Sequence, residues 1–197
     1  MELSHHLLIF LGAIFTHNLA LTYILGMCPL IALSGHLKTA SGMGAAVTVV
    51  LFFTAFFNWP LYHLLLKPLS ATYISYIVFI LVIAGTVQFL EIIIENFFPR
   101  LQNAFGIYLP LITVNCTVLA VSLFLVLRDY TFWETLFFAL GSGAGWTLAL
   151  LILAAIKEKL SLQSDIPKGL TGAGITLILA GILAMVFMGF TGMMKIQ

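Results

Sequence analysis

The sequence predicts an all-α integral membrane protein: six transmembrane helices forming an inverted 3+3 repeat, with helices 1 and 4 interrupted near the midplane. Three observations predict it. Of 197 residues, 62% are hydrophobic and only 8% are charged, whereas a soluble domain carries roughly 25% charged residues. Hydropathy divides the chain into six apolar segments, each long enough for the roughly 20 residues that cross a bilayer. Three short motifs also recur, in the same order, in the two halves.

The recurrences are specific in position rather than in content. Cys28-Pro-Leu-Ile-Ala-Leu-Ser34 echoes Cys116-Thr-Val-Leu-Ala-Val-Ser122, Ser41-Gly-Met-Gly44 echoes Ser142-Gly-Ala-Gly145, and Leu81-Val-Ile-Ala-Gly85 echoes Leu177-Ile-Leu-Ala-Gly181. Each match is weak in so apolar a chain, but three in register at spacings of roughly 90 to 100 residues indicate an internal duplication. The chain then reads as a single transmembrane domain, 1–197, with one repeat over about 1–99 and the other over about 100–197. Three spans per half place the halves in opposite orientations.

Taken in order, the first segment runs from about Leu3 to Ser34. That is longer than one span requires, and Gly26 and Pro29 beside Cys28 imply a break. Segment two, about Thr39 to Leu65, opens on the small residues Ser41 to Ala46, suited to close helix packing, with Pro60 near its end and Pro68 beyond it. Segment three, about Thr72 to Phe97, stays apolar until Gln88, Glu91 and Glu95, and Pro99 and Arg100 close it. Segment four, about Leu101 to Leu127, carries Gly106-Ile-Tyr-Leu-Pro-Leu-Ile-Thr-Val-Asn-Cys116. Pro110 lacks a backbone donor and crowds the preceding turn, so the helix is expected to break there. Arg128-Asp-Tyr130 makes a polar turn before segment five, about Phe132 to Ile156. A hydrophilic connection from about Lys157 to Lys168 leads to segment six, about Leu170 to Met193.

Several classes are excluded. A net charge of +1 without a basic cluster gives no footing for nucleic acid. Glu2, His5 and His6 do not form the basic region of a cleaved signal peptide. Two cysteines in apolar sequence do not make a secreted disulfide scaffold. The glycine motifs lack the lysine and the strand of a phosphate cradle and read as helix-packing surfaces.

A lone cysteine in a membrane helix is usually a small packed hydrophobe. Cys28 and Cys116 differ in occupying equivalent places in two halves, each beside a helix break. Broken backbone is tolerated in hydrocarbon only where protein buries it or a cavity adjoins it. Soft thiolates select iron–sulfur clusters, copper(I) or zinc, and two are half of what a [2Fe–2S] cluster takes. A related subunit could supply the other two.

These residues resemble a known family. Leu25-Gly-Met-Cys28, the stretch from Gly106 to Cys116, and Met188-Gly-Phe-Thr-Gly192 are similar to the Nqr D/E and Rnf A/E membrane subunits, over nearly the whole chain. Arg128-Asp-Tyr130 and Gly141-Ser-Gly-Ala-Gly-Trp146 are most similar to the E-type subunit of the Na+-translocating NADH:quinone reductase. Pro29 directly after Cys28 is closer to the A-type subunit of the Rnf complex. The resemblance implies that Cys28 and Cys116 supply two ligands of an intramembrane [2Fe–2S] cluster. It implies a homologous partner, Nqr D or Rnf E in type, that supplies two further cysteines. It also implies flavins on other subunits, sodium-coupled electron transfer from NADH to quinone, and a place in the bacterial inner membrane.

The remaining polar residues have plainer readings beside sharper ones. Thr113 and Asn115 satisfy local backbone, with an outer hydrogen bond to a cluster as the sharper option. Glu91 and Glu95 share a helix face with Gln88, close to the segment end, and read as partner or headgroup contacts before an ion site. His17 and Asn18 read as contacts to another helix or a partner. A secondary transporter on the same inverted repeat is the alternative of a different class. It would need substrate-binding polar groups at the midplane, where this chain offers only thiols, Thr113 and Asn115.

Loops one, three and five carry Lys38, Arg100, Lys157, Lys159 and Lys168, against Lys67, Arg128 and Lys195 on the terminal side. Cationic loops stay cytoplasmic, so both termini are predicted outside. An alkaline phosphatase fused after Gln197 should be active; activity of a cytoplasm-dependent reporter at that position would reverse the orientation.

Overall fold

The structure, a computed structural model, describes residues 2–67, 72–97, 109–163 and 172–191. Pro68, Pro99, Arg100, Lys168, Lys195, the lead-in Gly106 to Tyr108 and Gly192 lie outside the described residues. The elements are α1 (Glu2–Phe15), α2 (Met27–Leu33), α3 (Leu37–Leu61), α4 (Thr72–Phe97), α5 (Leu109–Thr113), α6 (Cys116–Leu127), α7 (Phe132–Gln163) and α8 (Ala173–Thr191), with no strand among the described residues. Helical stretches over Leu37–Leu66, Ile74–Ile93 and Phe132–Leu162 are long and apolar enough to cross a membrane. His6–Phe15, Leu111–Leu127 and Ala173–Gly189 are shorter apolar stretches. The outward surface is itself apolar: Leu64, Ile77, Leu81, Phe89, Leu127 and Met185 are all exposed. This is the surface of a helical protein solvated by lipid.

α7 is the axis of the molecule, and its glycines explain why. A Cβ added at Gly141 would come 2.7 Å from the Phe10 carbonyl oxygen, and one at Gly145 3.1 Å from Ile14 Cα. These two glycines, four apart on one face, let α1 lie backbone-close along α7. His6 stacks on Phe137 at 5.4 Å further along the same seam, so α1 and α7 run parallel. Gly143 points elsewhere. A Cβ there would come 2.9 Å from Thr48 Cα, and one at Gly44 would overlap Thr147 Cγ2. Thr48 Oγ1 and Thr147 Oγ1 meet at 3.3 Å, while each hydroxyl donates to its own helix at Gly44 O (2.8 Å) and Gly143 O (2.7 Å).

The α3–α7 crossing is therefore reciprocal: glycine of each helix against threonine of the other. It pairs Gly44 with Gly143, two positions off the register of the Ser41/Ser142 echo, which matches Gly44 to Gly145. Gly145 serves α1 instead. Gly85 and Gly181, from the third echo, have open space where a Cβ would go.

Loop contacts mark two ends. At one, Lys157 Nζ donates to Ser34 Oγ at 3.0 Å and the Leu37 N–H donates to Glu158 Oε2 at 3.3 Å. At the other, Trp59 Nε1 donates to the Tyr130 carbonyl at 3.0 Å and Lys67 pairs with Asp129 at 3.3 Å. Loop one thus lies against the C-terminal part of α7, and α3 and α7 are antiparallel. Pro60 sits inside α3, and the chain then widens into a π turn over Tyr62–Leu66, with Lys67 N–H donating to Tyr62 O at 2.9 Å.

Two expectations are corrected. Lys157-Glu158-Lys159 does not open a loop: α7 continues helical to Gln163, since Lys and Glu are good helix formers. Pro110 does not make the break in segment four. It lies within helical residues of α5, and the described break comes further on, at Val114 and Asn115.

The tight crossing should be costly to fill. Gly44→Leu is expected to lower unfolding free energy by about 1–3 kcal/mol, the usual cost of overpacking, whereas Gly85→Ala should not lower it. Denaturant titration in mixed micelles measures both, and an unaltered Gly44→Leu would show that the two helices do not meet this closely.

Candidate functional site

Both cysteines follow a break, and each break is built by an asparagine. After α1 ends at Phe15, the Thr16 and His17 N–H groups both donate to Gly12 O, at 3.0 and 2.8 Å. Asn18, fully buried, then binds in four directions. Its Nδ2 donates to Ile14 O (3.0 Å) and, across to α7, to Gly145 O (2.8 Å). Its Oδ1 accepts from Ala20 N (3.0 Å) and Leu21 N (3.4 Å). One side chain thus satisfies backbone that the broken helix leaves unpaired and fixes it to a neighbour. The chain turns back through Ile24 (φ 57°) and Gly26 (φ 73°), both left-handed, and starts α2 with Cys28 as its second residue.

The second break is shorter. Asn115 N–H donates to Ile112 O at 3.1 Å, closing α5. Asn115 has extended backbone and its Oδ1 accepts from Thr117 N at 3.0 Å, the N-cap arrangement. Cys116 is the first residue of α6.

The two breaks touch. A Cβ added at Gly26 would overlap Thr117 Oγ1 and come 2.6 Å from Trp146 Nε1 and 2.8 Å from Asn115 Oδ1. Gly26 stands two residues before Cys28, and Asn115 and Thr117 flank Cys116, so this contact brings both cysteine-bearing segments together. Its depth is set by Trp146, about 21 Å along α7 from Phe132 and about 17 Å from Lys157 at 1.5 Å per residue. Neither thiol is packed inside the chain: both are free and exposed. Val114 and Ile24, beside them in sequence, are exposed too, at 70% and 61%.

The other candidate residues divide. Asn18 and Asn115 belong to the breaks. Thr113 ends α5, half-buried. His17 Nδ1 lies 3.4 Å from the Tyr23 hydroxyl, its ring stacks on Tyr23, and it lines a narrow crevice with Arg128 and Tyr130. Glu91 is half-buried and Glu95 exposed on α4, a helix that among the described residues contributes no side chain to the hydrogen bonds of either break. Among the described residues no three His, Cys, Asp or Glu gather where they could hold a metal. The contribution of Trp146 was not read from sequence. The available signal was its place in the middle of an apolar segment, since membrane tryptophans favour the interfaces.

Residues 6–194 match the family described as Rnf-Nqr subunit, membrane protein. The chain is 44% identical to the E-type subunit of the Na(+)-translocating NADH-quinone reductase of Hahella chejuensis, over 96% of this chain and 98% of that one. The corresponding E-type chain of Aeromonas salmonicida is 46% identical and that of Histophilus somni 44%, each over the same shares of the two chains.

Gly26→Ala is expected to destabilise the fold by more than the about 1–2 kcal/mol that a left-handed backbone alone costs a side chain, because its Cβ also meets three neighbours. Thermal unfolding in detergent reads this; a melting temperature equal to the parent's would mean the breaks do not adjoin.

Proposed function

The chain belongs to the Rnf-Nqr family of membrane subunits, and from that premise we propose that it is the E-type subunit of a Na+-translocating NADH:quinone reductase of the bacterial inner membrane. In this reading it relays electrons across the membrane. Cys28 and Cys116 would hold one half of a [2Fe–2S] cluster, and a homologous subunit of the D type would hold the other half.

The observation that carries this is the meeting of the two breaks. It delivers two free, outward thiols to one region at mid-length of α7, which we read as close to the bilayer midplane. The donor set fits the group: thiolates are its ligands, and the two present here are half of the four required. The exposed thiols and apolar neighbours Ile24 and Val114 suit a surface that a second membrane subunit covers. When bound, such a cluster supplies a one-electron carrier about halfway across a roughly 30 Å hydrocarbon core. The chain's own residues do the positioning. Asn18 and Asn115 pin the broken backbone, Gly26 lets the breaks approach, and buried Leu19, Ile112 and Val118 exclude water from behind them. Thr113 and Asn115 are proposed to lie just outside the ligands.

The reciprocal Gly44–Thr147 and Gly143–Thr48 contacts support the inverted 3+3 repeat, because a local twofold makes residue i meet j and j meet i. The contacts at each end fit six spans with both termini on one side, which the loop charges assign to the outside. Glu91 and Glu95 on α4, and His17 inside the first break, are proposed as partner or headgroup contacts. Flavins and the NADH site belong to other subunits in this reading, and the isolated chain is not catalytic.

Replacing Cys28 or Cys116 by Ala in the intact complex should abolish one [2Fe–2S] paramagnetic resonance signal and stop quinone reduction by NADH, while the NADH-to-flavin step survives. A correctly assembled Cys116→Ala complex that reduced quinone at the native rate would end the relay reading. A secondary transporter gives no reason for such an electron-transfer block.

A further inference from the structure

Three buried polar atoms beside the break contact have no hydrogen-bond partner in the structure: Trp146 Nε1, Thr117 Oγ1 and Asn115 Nδ2. Trp146 and Thr117 are fully buried and Asn115 is 3% exposed. They belong to one place. Gly26 lies against the Trp146 indole nitrogen, the Thr117 hydroxyl and the Asn115 carboxamide, and the last two residues flank Cys116. An indole N–H and a carboxamide NH2 can only donate. An unmet buried donor costs about 1–3 kcal/mol, and water is scarce at this depth to relieve it. Buried donors without partners are rare in native proteins and need a reason.

We propose that Trp146, with Thr117 and Asn115, forms a donor set that raises the reduction potential of the group held by Cys28 and Cys116. The inference rests on the cluster-ligand reading above and adds to it which residues set the energy of the carried electron. A thiolate-bound iron–sulfur group offers acceptors only, its thiolate and sulfide sulfurs. It gains one negative charge on reduction, so donors and dipoles directed at it stabilise the reduced state more than the oxidised one. The apolar surroundings strengthen this, because a hydrogen bond in a low dielectric is electrostatically stronger than in water. Trp146 is a positioning and tuning residue here, not a ligand. Its place on α7 ties that tuning to the helix both breaks pack against.

The test is a redox titration of the Cys28-dependent paramagnetic signal in the intact complex, for the parent, Trp146→Phe, which keeps the bulk, and Thr117→Val, which keeps the shape. Iron content should equal the parent's in both variants, and the midpoint should move negative in each and further in the double variant. Native iron with an unmoved midpoint in both would overturn the tuning and leave the cluster-ligand reading standing. If Trp146→Phe does not assemble, Thr117→Val decides alone, and an unmoved midpoint there is equally fatal. A parent complex with no Cys28-dependent signal would overturn both readings together.

Discussion

The architecture depends on one constraint: backbone that leaves a helix inside hydrocarbon must find its partners within the protein. In the first half Asn18 carries most of this, beside the Thr16 and Thr22 hydroxyls on Gly12 O and Thr16 O. Asn18 carries two donors and an acceptor with two lone pairs, and every one is used, three within its own segment and one on Gly145. The bond to α7 converts a local break into a fixed one. In the second half Asn115 needs only to cap α6, because the chain is out of helix for only two residues. The different lengths of the two breaks explain why one asparagine is fully enlisted and the other keeps a free amide.

α7 then acts as a common reference. Gly141 and Gly145 face α1, Gly143 faces α3, and Trp146 faces the meeting of the breaks. Four positions within six residues thereby fix the relative depth of both halves. Asn58, donating to Ser122 at 2.7 Å, adds a polar tie between α3 and α6. Such ties are few, so the helices owe their association mainly to close approach of backbones, as expected where lipid removes the hydrophobic drive between helices.

Much of this was legible in the sequence, for reasons of composition and punctuation. Apolar run lengths give the helices, and Gly26 marks the end of the first departure from them. Small residues at Ser41–Ala46 and Gly141–Gly145 announce close packing. What they do not announce is which face meets which neighbour, so the glycine echo aligned two residues away from the contact that forms. Pro110 misled because the described departure comes a helical turn later, where Asn115 caps the next helix. The polar end of segment five looked like a loop because polarity and helicity are independent. The bond from Asn18 to Gly145 spans 127 positions, and no local pattern in the sequence carries that pairing.

Ile24 carries a consequence of its own. A β-branched side chain with φ at 57° occupies a conformation that costs about 1–3 kcal/mol, and glycine would adopt it freely. The side chain is also 61% exposed, so little packing within the chain offsets the strain. A residue that is both strained and outward-facing earns its place in a setting larger than the single polypeptide. On the proposed function, this turn is where a second membrane subunit would supply the packing that the chain alone lacks.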